Sequence, residues 1–295
     1  MVDYNPKRWS SQLLAIHGSI APKIILRVVL VVLWSAAIVL VHRKVQPVGI
    51  PSTVHTLVGL ALGLLLVFRT NASYERFWEG RKAWGRIVND SRNLARAART
   101  LLEPQPHVLE SLLLWTATFP YAAVHALRKT RGLGPLEKRL PPASVAEVLA
   151  TAHVPMAVAC QISLLLMSKR RDGTYAERVI IYIDGMVGSL VNQAGECERI
   201  QNTPLPFAYV VHLRRALVLY LATMPFVLVD SFGWLTVLCM LLISYILLGI
   251  EEIGVEIENP FGNDHNDLPI EELCATIERD VLGVTPRSPP SEPPA

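Results

Sequence analysis

The sequence predicts an all-α membrane protein, with four transmembrane helices and a helical domain outside the bilayer, on three observations. Apolar residues make up 51% of the 295 and the mean hydropathy is +0.35, both above ordinary soluble usage. Four apolar runs are long enough to cross a bilayer. No useful stretch alternates with the two-residue period of a strand.

A span needs about 20 apolar residues, because a helix rises ~1.5 Å per residue across ~30 Å of hydrocarbon. The first run lies at about residues 24–41 and holds only Arg27, near one end, where a long side chain can snorkel to the interface. The second, 50–68, is uncharged and stops at Arg69. The third, 207–229, carries His212, Arg214 and Arg215 in its first turns, and Pro225 is expected to kink its far end. The fourth, 232–250, comes after a short turn at Asp230 and Ser231, which makes the last two spans antiparallel neighbours.

Lysine and arginine crowd the region 69–199, whereas the stretches 45–51 and 230–231 carry none. The positive-inside bias therefore puts both termini and the central region in the cytosol. Lys7, Arg8 and Lys23 agree, and Arg43 and Lys44 fall on the other side. The N-terminal segment lacks the apolar core and small-residue cleavage site of a signal peptide, so insertion is expected through the spans themselves.

Residues 69–205 are too polar for lipid, yet helical apolar spacing recurs at 94–102, 108–126 and 145–166. Prolines 104, 106, 135, 141 and 142, with Gly132 and Gly134, divide this region into helices joined by loops. The proline-rich tail 286–295 cannot build a core and is expected to be disordered. Four cysteines without CxxC spacing read as free thiols. A net charge of +3 with interspersed signs shows no nucleic-acid footprint. No HExxH, nucleophile elbow, P-loop or dinucleotide fingerprint occurs, and the eight histidines are dispersed.

Three segments carry a resemblance. VHTLVGLALGLLLVFRTNASYERFWEGRKAWG spans the second run and the polar residues after it, GECERIQNTPLPFAY leads into the third run, and IENPFGNDHNDLP comes after the fourth. Together they resemble the bestrophin family, the second of them its bacterial branch, and they cover most of the chain from Thr56 to Pro269. The resemblance implies a single channel domain over residues 1–285: a homopentamer in the lipid bilayer, around one axial pore for small inorganic ions, chloride foremost. It requires no cofactor and places the protein in a bacterial inner membrane.

The family's hydrophobic neck falls here on Leu60, Leu64 and Phe68. Steps of four advance ~400° each, so the three form a slowly drifting stripe that five copies would close into rings. Taken alone, the sequence would place lipid-facing leucines there equally well. Gly59 and Gly63 put two small residues on one edge, where a neighbouring helix can come close. Ser52, Thr53 and Thr56 sit at the helix start, where free amides and the dipole favour an anion and where a hydroxyl also serves as a cap. Below the neck, Asn71, Tyr74, Arg76, Trp78, Glu79, Arg81 and Trp84 suggest buried packing and inter-subunit salt bridges.

The family's cytosolic aperture, by a gapless count, falls on Arg178. A ring of arginines would draw anions, although a lone arginine beside Glu177 also suits a solvated face. In animal members the NPFG segment forms a calcium clasp. The matching positions are Glu256, Asn259, Asp264 and Asp267, while Asp264 and Asp267 would equally cap a helix opening near Pro269. Two other functions stay open. Glu251, Glu252, Glu256 and Glu258 would favour a monovalent cation if they line the vestibule, and a non-conducting scaffold would use the cytosolic helices and tail to bind partners.

Overall fold

The computed structural model describes residues 15–16, 18–102, 106–171 and 176–283; the tail 286–295 lies outside them. Among the described residues the chain is helical and carries no strand: α1 (Ala21–Lys44), α2 (Thr53–Leu101), α3 (Pro106–Leu127), a 3-10 turn (Gly134–Arg139), α4 (Pro142–Ala150), α5 (Val154–Arg171), α6 (Glu177–Asn202), α7 (Phe207–Phe232), α8 (Leu235–Glu258) and α9 (Ile270–Gly283). Helices α1, α2, α7 and α8 are long and apolar enough to cross a membrane. Contacts divide the chain into two compact units, Met1–Trp78 with Pro204–Asp267, and Glu79–Thr203 with Leu268–Ala295.

The first unit holds the spans. Proline at the start of α1 suits a position whose amide has no helical acceptor. His42, Arg43 and Lys44 end the helix, where cations meet the negative end of its dipole. Arg43 lies 6.0 Å from the Trp234 ring, a cation held by an aromatic near a span end. The core joins Ile24 and Val28, Leu62 and Leu66, Leu213, Leu217 and Leu221, and Met240 and Leu248. These recur mostly every four residues, one stripe per helix. Small residues admit close approach: a methyl at Gly249 would sit 3.2 Å from Ile20.

Helix α2 runs 49 residues without a break. At ~1.5 Å per residue it is about 70 Å long, more than twice a hydrocarbon layer. Helicity continues far past residue 68, because FRTNASYERFWEGRKAWG holds no proline and its two glycines cost only about 1 kcal/mol each. Helix α7 likewise continues through Pro225. Nearby, Trp34 Nε1 donates to the Ala222 carbonyl at 2.8 Å and the Ile50 amide to the Phe226 carbonyl at 3.0 Å.

Two boundaries differ from those the sequence predicts. The turn between the last spans is at Gly233 and Trp234, not at Asp230 and Ser231, and the fourth span starts at Leu235. Gly233 adopts φ 52°, which glycine alone takes without strain, and it is the first residue after Asp230 that can leave the helix this way. The stretch 145–166 is two helices, α4 and α5. Pro155 has no amide to continue α4, and His153 Nδ1 accepts the Met156 amide at 3.1 Å to open α5.

The second unit is built around α3, whose residues 112–120 are all buried. Thr116 and Thr118 return their hydroxyls to the Leu112 and Leu114 carbonyls, both at 2.8 Å, which satisfies two buried polar groups. Helix α9 presents Ile270, Cys274, Ile277 and Val281 to this unit. It is also tied down by Tyr121 Oη to Glu278 at 2.8 Å and by the Arg128–Glu271 pair. Trp84 is fully buried, whereas Tyr74 and Trp78 are about half exposed, so only the first of these aromatics is packed within the chain. All four cysteines are free, and burial pushes the Cys197 thiol up to about 12.

Candidate functional site

Helix α2 has two faces. Leu62 and Leu66 are 2% exposed in the first unit's core, while Leu60, Leu64 and Phe68 are 76%, 55% and 55% exposed. The two glycines differ as well. A methyl at Gly59 would lie 2.7 Å from the Tyr220 hydroxyl, whereas one at Gly63 would meet nothing within 4 Å. Gly59 thus permits an approach inside the chain, and Gly63 leaves a small, open step on the helix surface.

At the start of α2, Ser52, Thr53 and Thr56 are exposed. The Thr56 hydroxyl donates to the Ser52 carbonyl at 3.1 Å. Between them His55, a residue no sequence motif singles out, shares a hydrogen bond of 2.8 Å with Thr223 Oγ1. Arg178 is exposed in the first turn of α6.

The strongest electrostatic feature lies where four helix segments meet. Glu251 of α8 accepts hydrogen bonds of 2.9 Å from Arg69 of α2 and from Arg214 of α7. Arg27 of α1 pairs with Glu252 at 2.9 Å and lies 3.7 Å from Glu251. Glu258 accepts the Leu205 amide at 3.2 Å, and its carbonyl accepts Arg76 Nε at 3.1 Å. Arg69 and Glu251 are 1% and 3% exposed, so each charge depends on the other for compensation.

These pairs place the start of α1, the charged end of the second span, the start of α7 and the end of α8 together, the alternation that four antiparallel crossings demand. They also correct one expectation. Glu251, Glu252 and Glu256 are buried and paired, so they do not offer free carboxylates to a vestibule. The signal was present as cations at three span ends facing an acid-rich fourth.

The calcium positions do not assemble into an ion site. Lys23 Nζ lies 3.0 Å from Glu256 and 3.3 Å from Asp264, so an ammonium stands between two of the expected ligands. Asp267 turns inward and accepts the Asp264 amide at 2.6 Å. It thereby closes the turn 264–267. A methyl at Gly262 would lie 2.6 Å from Asp267 and 3.3 Å from the Asn259 amide nitrogen, so both side chains pack against the glycine. Among the described residues no group of three or more His, Cys, Asp or Glu is arranged to hold a metal.

Burial, with Asp264 and Glu256 nearby, pushes the Asp267 carboxyl up to about 6. The folded chain then holds that proton more tightly than the unfolded chain does. The contribution of this one carboxyl to stability therefore falls as pH rises from about 4 to about 6 and is flat above. The difference in melting temperature between wild type and Asp267→Asn, followed across this range, should change in that direction and level off above about pH 6.

An all-helical fold with four membrane-length helices, held by buried ion pairs and with a bare apolar stripe on its longest helix, defines the class as a multi-span integral membrane protein. Residues 1–283 match the family described as bacterial/fungal bestrophin protein, and the chain belongs to that family. A voltage-dependent anion channel-forming protein of Nostoc sp. is 37% identical over 287 residues, 96% of this chain and 94% of that protein. The protein of that description named YneE in Escherichia coli (strain K12) is 32% identical over 278 residues, 94% and 91% of the two chains. The crystal structure of a bacterial bestrophin homolog from Klebsiella pneumoniae superposes with a TM-score of 0.84 at 32% identity, covering 88% of this chain and 97% of that one.

Proposed function

We propose that this chain is an anion channel: residues 1–285 act as one channel domain, five copies surround an axial pore, and small anions such as chloride pass through it. The observation that carries the reading is the stripe Leu60, Leu64 and Phe68, apolar and left unpacked by its own chain on the helix whose other face is in the core. Five such stripes form a hydrophobic neck that gates by dewetting.

Ser52, Thr53 and Thr56 form the outer anion site at five converging helix starts. Gly63 accommodates the adjacent subunit, Gly59 keeps α2 against Tyr220, and Arg178 supplies the cytosolic aperture. The relatives' names support anions as the cargo. The neutralised acids of α8 remove the feature that would have favoured cations.

Lysine and arginine distribution supports cytosolic termini, and the bacterial relatives support a bacterial inner membrane. Native mass spectrometry together with chloride flux into proteoliposomes tests the proposal. Pentamers that pass chloride support it; another stoichiometry, or tight liposomes, reject it.

A further inference from the structure

The positions that match the calcium clasp of animal members already hold a positive charge supplied by the chain. Lys23, in the first turn of α1, reaches Glu256 at the end of α8 and Asp264 in the turn beyond it. Glu256 is buried, and Lys23 is its hydrogen-bonding cation. An ammonium is a compact charge with three donors, and two of them are spent on these carboxylates. A second link crosses the same junction, with Asn266 Nδ2 donating to the Gly18 carbonyl at 3.1 Å. Beside the pair a cleft lined by Ile16, Gly18, Ser19, Lys23, Glu256 and Asp264 leads to the surface. An ion from solution could therefore reach the carboxylates once the ammonium is gone.

We propose that Lys23 is a resident cation that replaces calcium at this junction. The chain fastens α1 to the end of α8 and to the turn 264–267 without a metal, and removing the ammonium converts the junction into a divalent-cation site. Glu256 and Asp264 would then lose the cation they share, a loss that a hard, oxygen-seeking cation relieves. The cleft beside them opens to the surface, so water supplies the remaining oxygens of a calcium shell.

Full-length protein in detergent, melted in EGTA and in millimolar calcium chloride, tests this, with calorimetric calcium titration as a readout independent of conduction. The wild type should melt at one temperature in both media and bind no calcium at this junction. Lys23→Ala should lose roughly 5 °C in EGTA and regain it with calcium. Lys23→Arg should behave as the wild type, and Lys23→Gln, which keeps the apolar stem, should match Lys23→Ala.

A wild-type midpoint that rises with calcium overturns the proposal, and so do neutral variants that bind none. Neutral variants that fold in neither medium also overturn it, since calcium should have restored them. Because none of these readouts needs a current, their outcome stands apart from that of the channel assignment.

Discussion

Replacing Leu60, Leu64 and Phe68 together by alanine should enlarge single-channel currents severalfold and weaken discrimination among ions, with little change in thermal stability. Position decides this. Each of the three is more than half exposed on its own chain, so truncation removes almost no intrachain packing. What it removes is apolar bulk from the line that five copies would turn toward one axis. A narrow apolar ring excludes ions because water leaves it, and a wider ring stays wet. Leu62 and Leu66 provide the control. They lie two residues along on the packed face and are 2% exposed. Leu62→Ala or Leu66→Ala should lower stability by about 2–5 kcal/mol and leave selectivity alone. Bilayer recording and thermal melts separate the two outcomes, and triple-alanine currents identical to wild type would reject the neck.

Glu251→Ala should be strongly destabilising to the first unit, at about 3–5 kcal/mol. The carboxylate it removes serves Arg69 and Arg214 directly and lies 3.7 Å from Arg27. Arg69 would suffer most. It is buried, and its Nε and Nη2 already lack hydrogen-bond partners among the described residues, with the Glu258 carboxylate 3.9 Å from Nη2. Without Glu251 that guanidinium is left in an apolar setting with one distant counter-charge, where the desolvation penalty exceeds any remaining attraction. Arg69→Met should cost a comparable amount alone, and the double variant Arg69→Met with Glu251→Leu should recover much of the loss, because neither charge is then orphaned. Thermal melts of the four proteins give the coupling directly. Additive losses would mean that the two residues act independently.

The four spans were legible because a bilayer imposes a length and a polarity that any span must meet. The positions of turns were less so. Asp230 and Ser231 look like turn residues, but the chain reverses where glycine permits a positive φ, at Gly233. Apolar spacing ran through 145–166 as if one helix lay there, and Pro155 broke it.

The ion pairs were illegible for a different reason. Arg69 and Glu251 are 182 residues apart and Lys23 and Glu256 are 233 apart, and helical periodicity reports which face a residue occupies, never which residue it meets. The acids of α8 thus looked free to line a vestibule, and those of the turn beyond it looked free to bind calcium. In the folded chain Glu251, Glu252, Glu256 and Asp264 are paired with cations brought from other helices. The neck stripe stood out only by resemblance, since most of its neighbours are also apolar and nothing in composition separates a pore-facing leucine from a lipid-facing one.

Reversal potentials of the purified protein in planar bilayers under asymmetric sodium chloride test the central claim most directly, since they read conduction and selectivity in one measurement. An anion channel should reverse close to the chloride equilibrium potential, moving with the chloride gradient and unmoved when potassium replaces sodium. A reversal that tracks the cation gradient would contradict it.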